Sequence, residues 1–215
     1  MTDPERTLTG TEHSPPRSWY IDRPLTGFAL PRGRVGSLLG RLMGMVNKSE
    51  QLEVLAAVDV QPGERVLEAG YGPGVLLGML LGAGATVAGV DPSPEMRALA
   101  ARRSEKAVAA GTADLRVGTA ESTGFPDESF DVAVSVNNVP MWSDLTAGMR
   151  ELHRVVRPGG RVVVAWHGGT HTRGIARKLV LPADVLDRIT VSMRDVFGNG
   201  EMRQGRHIVT FQATR

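Results

Sequence analysis

With 215 residues, 41% of them hydrophobic and 22% charged, the chain has the make-up of one ordinary globular domain with room for a sizeable core. A formal net charge of +2 without any Lys/Arg-dense element argues against a nucleic-acid partner, and the absence of cysteine excludes disulfides, thiolate nucleophiles and Cys-ligated metals. No apolar run is long enough for a membrane span, and the polar opening MTDPERTLTGTEHSPP lacks the apolar stretch of a secretory signal, so a cytoplasmic location is expected.

Residues 1–16, rich in Thr, Ser, Pro and charge, read as a disordered tail. Residues 17–49 read as an arm and a covering helix. The arm, RSWYIDRPLTGFALPRG, is irregular and carries Trp19, Tyr20 and Phe28, which either close over a substrate or anchor the arm to the domain surface. Val35, Leu38, Leu39, Leu42 and Val46 then keep helical spacing, with Arg34, Arg41 and Lys48 off the stripe. Such a helix packs on its own domain or, being basic and amphipathic, touches anionic lipid.

From residue 50 to 215 the pattern is that of a single α/β unit. A helix is predicted over Glu50–Val58, ended by Gln61-Pro62-Gly63, followed by a strand over Arg65–Ala69 and an apolar helix over Val75–Leu81. Thr86–Val90 predicts a second strand, Pro94–Ala110 a long helix and Leu115–Val117 a third strand. Phe130–Val136 predicts a fourth strand, apolar on both faces. Leu145–Val156 predicts a helix stopped by Arg157-Pro158-Gly159-Gly160, and Arg161–Trp166 a fifth strand. A helix within 172–190 and a last strand over His207–Gln212 complete the reading. Alternation of Val-rich two-sided strands with helices implies a Rossmann-like three-layer sandwich, its sheet mainly parallel with an antiparallel C-terminal strand.

The turn EAGYGPG, residues 68–74, lies where a strand gives way to a helix, at the sheet edge where open α/β folds bind ligands. Its glycines allow positive φ and close backbone approach. The dinucleotide pattern G-x-G-x-x-G would need a glycine at Val75, and a pyrophosphate would be opposed by the Glu68 carboxylate. A cationic ligand without phosphate suits the turn better, and S-adenosylmethionine meets that description. Asp91, at the end of the second strand, is placed to accept hydrogen bonds from ribose hydroxyls, a feature that NAD sites share.

The chain resembles the class I S-adenosylmethionine-dependent methyltransferases over roughly residues 50–166. VLEAGYGPG looks like the family's first motif and GVDPSPEM like its second. GTAESTGFPDESFDVAVS is similar to the third and fourth, and MRELHRVVRPGGRVVVAW to the helix, Pro-Gly-Gly turn and fifth strand. The resemblance implies that Gly70, Gly72 and Gly74 line the methionine moiety and that Glu68 orients the loop and the amino group. It also implies that Asp91 binds the ribose, with Pro92 and Ser93 near the adenine edge, and that Ala120 and Glu121 read the adenine amino group. Asn137 would face the sulfonium and the transferred methyl. The short stretch after Trp166 leaves little room for a helical cap, so substrate contacts are expected from the N-terminal segment and the strand ends.

Methyl transfer needs alignment and exclusion of water, and a base only when the nucleophile arrives protonated. His167, directly after the fifth strand, is the candidate base or substrate-orienting imidazole, with His171 close behind; a solvent-facing loop histidine is the plainer reading. His153 reads as a surface or packing residue and Asp144 as a helix cap. Trp142 either walls the pocket or packs under the loop. The expected partner is a small-molecule substrate bound by a monomer or homodimer, with membrane contact through the covering helix as a lesser alternative. The remaining readings are a phospholipid-headgroup N-methyltransferase and a non-catalytic cofactor-binding subunit.

Overall fold

The computed structural model describes residues 18–20, 48–172 and 174–215. The expected tail, Phe28 and the Val35–Val46 stripe lie outside the described residues. The elements run α1 (Lys48–Val58), β1 (Arg65–Ala69), α2 (Val75–Gly82), β2 (Thr86–Asp91), α3 (Pro94–Arg103), α4 (Glu105–Ala109), β3 (Ala113–Val117) and β4 (Phe130–Val136). After a 3-10 turn at Val139–Met141 come α5 (Leu145–Val155) and β5 (Val156–His167). A second 3-10 turn at Gly174–Leu179 leads to α6 (Ala183–Phe197), β6 (Glu201–Gln204) and β7 (Ile208–Thr214).

The strands form one seven-stranded sheet in the order β3-β2-β1-β4-β5-β7-β6. Five are mutually parallel; β7 runs antiparallel to β5, and β6 antiparallel to β7. Side chains alternate between two cores because successive Cβ atoms point to opposite faces. Leu67, Ala133, Val162 and Val164 meet α5 and α6 through Met149, Leu152, Ile189 and Met193. Val66, Val132, Val134 and Val163 meet α1 and α2 through Val54, Val58, Leu76 and Leu80. Burial on both faces is why these strands read as unbroken apolar runs.

Several boundaries differ from the sequence expectation. The helix expected over 94–110 breaks at Ser104, whose backbone (φ −110°, ψ 25°) leaves the helix and separates α3 from α4. The third strand begins at Ala113, and the late helix is shifted to Ala183–Phe197. The fifth strand begins at Val156 and carries the Pro-Gly-Gly turn as an irregularity, since Phe130 pairs with Val156 and Val132 with Arg161. Gly160 fits there because a Cβ would lie 2.7 Å from the Asp131 carbonyl oxygen. The edge strand β6 was not expected at all; all four of its residues are exposed, so it carries no alternating apolar signal.

Candidate functional site

The carboxyl ends of β1, β2, β4 and β5 bring Glu68, Asp91, Asn137 and His167 to one edge of the sheet. The turn after β1 is held by the protein itself. Gly70 N donates to Val90 O at 2.7 Å, Gly74 N to Tyr71 O at 2.9 Å, and Gly72 N to Asp91 Oδ2 at 2.8 Å. Tyr71 is buried, its hydroxyl donating to Arg116 O at 3.0 Å, and Gly89 leaves space for its ring, since a Cβ there would lie 2.6 Å from Tyr71 Cδ1.

The three glycines differ in what they are for. Gly70 (φ +79°) faces Asn138, whose Nδ2 would sit 2.0 Å from an added Cβ. That amide donates to Ala69 O at 2.8 Å, and its Oδ1 accepts from Trp142 Nε1 at 2.8 Å, fastening the end of β4 to the turn. Gly74 (φ +76°) precedes α2 and packs on Ala100, 3.0 Å from an added Cβ. Gly72 (φ +52°) has no described atom within 4 Å of an added Cβ, its chain neighbours aside. Packing therefore accounts for two of the glycines, and Gly72 is the one that opens onto space.

Glu68 is buried among the residues of the α1 and α2 side, and its Oε2 has no hydrogen-bond partner among the described residues. Burial, with repulsion from Asp91, pushes its carboxyl up to about 8 against the pull of the Leu77 backbone N–H. Asp91 accepts from Gly72 N with one oxygen and from Ser93 N (2.9 Å) with the other, yet burial still raises its pKa. Burial and the Asp91 charge likewise raise Tyr71. The root of the turn thus holds two desolvated acids, whose ionised forms a nearby cation would favour.

One strand further, Asn137 adopts the left-handed region at φ +55°, a conformation Asn tolerates better than most residues. Its Nδ2 donates to Glu50 Oε2 at 3.0 Å, and its buried Oδ1 has no partner among the described residues. Glu50 Oε1 lies 2.8 Å from His167 Nδ1, and both side chains are buried. Glu50 was not anticipated from the sequence. It stands on one helical face with Val54 and Val58, both fully buried, and a carboxylate on an apolar stripe is the signal that could have found it.

Residues 67–164 match the family model described as a methyltransferase domain. The chain is 30% identical over 129 residues to the uncharacterized methyltransferase YdaC of Bacillus subtilis, covering 59% of this chain and 69% of that protein. The chain belongs to the class I S-adenosylmethionine-dependent methyltransferases. It is also 36% identical over 124 residues to a Cereibacter sphaeroides phosphatidylethanolamine N-methyltransferase, covering 58% of this chain and 60% of that protein. A Haemonchus contortus phosphoethanolamine N-methyltransferase 2 solved with S-adenosyl-L-methionine shares the fold at a TM-score of 0.68 and 16% identity, over 91% of this chain and 61% of that one. S-adenosylmethionine is the methyltransferase's cofactor, and among the described residues no helix is long and apolar enough to cross a membrane.

The remaining expected residues of the methyltransferase divide between the two sides of the sheet. Trp142 is 5% exposed and inserted against Gly148, where a Cβ would lie 2.4 Å from its ring, so it packs under the loop. Trp19 donates through Nε1 to Val139 O at 2.6 Å and through its backbone to Trp142 O at 2.9 Å; Ser18 Oγ donates to Pro140 O. These bonds anchor residues 18–20, and the Trp19 ring, covered by Arg188 at 4.7 Å, lines a groove of about 670 Å³ with Asp184, Asp187 and Val191. Trp19 and Trp142 thus pack with the α5–α6 core, whereas His167 is tied to α1. Tyr20 is 37% exposed beside Trp19.

Around the second strand end, Ser93 caps α3, accepting from Met96 N at 3.2 Å, and Pro92 is exposed. Ala120 is buried; Glu121 Oε1 accepts from Ser143 Oγ at 2.9 Å and from Asp144 N at 3.3 Å, bridging the turn after β3 to the start of α5. Asp144 caps α5 through Ala147 N at 2.9 Å. His153 packs on Phe197 at 5.1 Å, with burial lowering its pKa, and His171 is exposed beside Thr170.

Proposed function

We propose that this methyltransferase moves the methyl group to an O, N or C nucleophile of a small molecule by in-line displacement. The reading rests on one observation: the turn after β1 has an acidic, buried root with an unpartnered oxygen on Glu68 and an open direction at Gly72. A phosphate would keep Glu68 protonated and be opposed by Asp91, whereas an ammonium draws Glu68 into its carboxylate form and finds Oε2 without a competitor among the described residues. S-adenosylmethionine supplies an electrophilic methyl on a sulfonium whose sulfur leaves neutral.

Glu68 receives the ammonium, and Gly72 lets the turn's backbone approach the methionine moiety, with Gly70 and Gly74 shaping the turn. Asp91, each of whose oxygens keeps a second lone pair, accepts from the ribose hydroxyls while holding Gly72 N–H. Pro92 and Ser93 border the adenine, with the Ala120–Glu121 backbone on its far edge. Asn137 and His167 face the reacting end. Trp19 and Tyr20 stand beside the substrate, with Trp142 behind the loop that follows β4.

Calorimetry with S-adenosylmethionine, S-adenosylhomocysteine and NAD tests the binding half of this reading; binding of NAD alone would overturn it. Release of labelled methyl to an acceptor separates an enzyme from a non-catalytic binding subunit. Asp91→Ala is expected to weaken S-adenosylhomocysteine binding by roughly 1–3 kcal/mol, since charge-assisted bonds to the ribose are lost and the Gly72 N–H loses its partner. Unchanged affinity would refute the ribose role.

A second reading, methylation of an ethanolamine headgroup, is favoured by the names of two similar proteins, the bacterial phosphatidylethanolamine and the nematode phosphoethanolamine enzymes. Phosphoethanolamine and phosphatidylethanolamine vesicles, compared as acceptors, test it directly.

A further inference from the structure

We propose that Glu50 and His167 form a carboxylate–imidazole pair that presents His167 Nε2 as a base to an acceptor atom arriving with a proton, a hydroxyl or an ammonium. The proposal rests on the methyltransferase reading and narrows it, because an acceptor that reacts with a lone pair already free, such as a tertiary amine, has no use for such a pair.

The geometry carries the assignment. Glu50 Oε2 accepts from Asn137 Nδ2 at 3.0 Å, leaving Oε1 to pair with His167 Nδ1 at 2.8 Å. A carboxylate accepts only, so Nδ1 carries the imidazole proton and Nε2 keeps its lone pair. His167 is 6% exposed at the end of β5, and Glu50 is 7% exposed on a helix face it shares with Val54 and Val58. Burying an acid there costs stability that an aliphatic side chain would not, and packing alone gives no reason for it.

The pair is also held rigidly. Glu53, one turn along α1, accepts from Arg206 N at 2.6 Å and His207 N at 2.8 Å. Arg161 donates to Val58 O at 2.8 Å and Asp59 O at 2.7 Å at the other end of the helix. Around the imidazole, α1 contributes Glu50, β4 ends in Asn137, and β7 sets Ile208 opposite in register, so among the described residues Glu50 is the charged group bonded to it. Glu53 is engaged with the turn before β7. Asn137 is followed directly by Asn138, which bonds to Ala69 O and Gly70 O, so the pair lies beside the glycine turn along the sheet edge. Among the described residues the buried Asn137 Oδ1 has no hydrogen-bond partner.

The step balances simply. The O–H or N–H bond of the acceptor breaks and its proton goes to His167 Nε2, while the freed electron pair forms the bond to the methyl carbon. The methyl–sulfur bond pair goes to sulfur, cancelling its positive charge. The imidazolium, steadied by Glu50, returns its proton to water.

The test uses the full chain carrying ¹⁵N-histidine, with S-adenosylhomocysteine binding measured on the same sample. NMR at neutral pH is expected to show His167 as the Nδ1–H tautomer, and Glu50→Gln to mix the two tautomers; a neutral ring with the proton on Nε2, or a tautomer indifferent to Glu50→Gln, overturns the proposal. Failure to bind S-adenosylhomocysteine would instead strike the cofactor reading, so the two failures are distinguishable. With phenols and phosphoethanolamine as separate acceptor arms, His167→Asn is expected to lower kcat by about 10²–10⁴-fold with KM little changed, and to remove the acid limb of the pH–rate profile. An acceptor turned over equally fast by wild type and His167→Asn overturns it as well.

Discussion

Glu68→Gln is expected to make the cofactor-free methyltransferase more stable at pH 8 while weakening its hold on S-adenosylmethionine. Both effects follow from one carboxyl. In the folded chain it is pushed up to about 8 by burial first and by Asp91 second, from an ordinary 4.5. A carboxyl whose folded pKa is raised binds more protons folded than unfolded. Its favourable contribution is therefore complete below about pH 4.5 and is lost as pH rises through the folded value. At about 1.4 kcal/mol per unit, ionising it in the folded state costs roughly 4 kcal/mol by pH 8. Asp91, also raised, acts in the same direction.

Glutamine keeps an oxygen for the Leu77 N–H and brings no charge. Urea melts of the apo protein between pH 5 and 8 should fall steeply for wild type and much less for the variant. Binding should move the other way. An ammonium at the unpartnered Glu68 Oε2 favours the carboxylate, so wild-type affinity should rise from pH 6 to 8 with release of a proton. The variant should bind roughly 10–100-fold more weakly at pH 8, the loss of one charge-assisted contact of about 1.4–3 kcal/mol. A variant less stable at pH 8, or one that binds as tightly as wild type, would mean that the buried acid serves only to cap α2.

The limits of the sequence reading have physical causes visible in single residues. Strands β1, β2 and β4 were legible because each is a short apolar run, buried on both faces and closed by a glycine, an acid or an asparagine. Glu201–Gln204 was not, since an exposed edge strand takes its conformation from pairing with β7 alone. The sequence singles out Glu68, Gly72 and Asp91 as candidates because their signal is local, within one strand–turn–helix–strand unit. Gly70 owes its identity to Asn138, 68 positions away, and Glu50 meets Asn137 and His167 across 87 and 117 positions. Contacts of that separation leave no periodic trace, although the acid on the Val54–Val58 face was a local anomaly that pointed to one.

The contrast between Gly70 and Gly72 supplies a sharp test of the turn. Gly72→Val is expected to abolish S-adenosylhomocysteine binding while the protein still folds. An added Cβ meets no described atom within 4 Å, so the side chain projects into the space assigned to the ligand. A β-branched residue at φ +52° adds backbone strain of order 1–3 kcal/mol, which a domain with this double core should survive. Gly70→Val should behave in the opposite order. Its Cβ would fall 2.0 Å from Asn138 Nδ2, forcing out the amide that ties β4 to Ala69 O and Trp142. There the loss should register first in thermal unfolding, as a drop larger than that of Gly72→Val, with binding lost as a consequence. Melting curves and calorimetry on both variants read the two losses separately. Normal binding by folded Gly72→Val would move the ligand away from this turn, and with it the role given to Glu68.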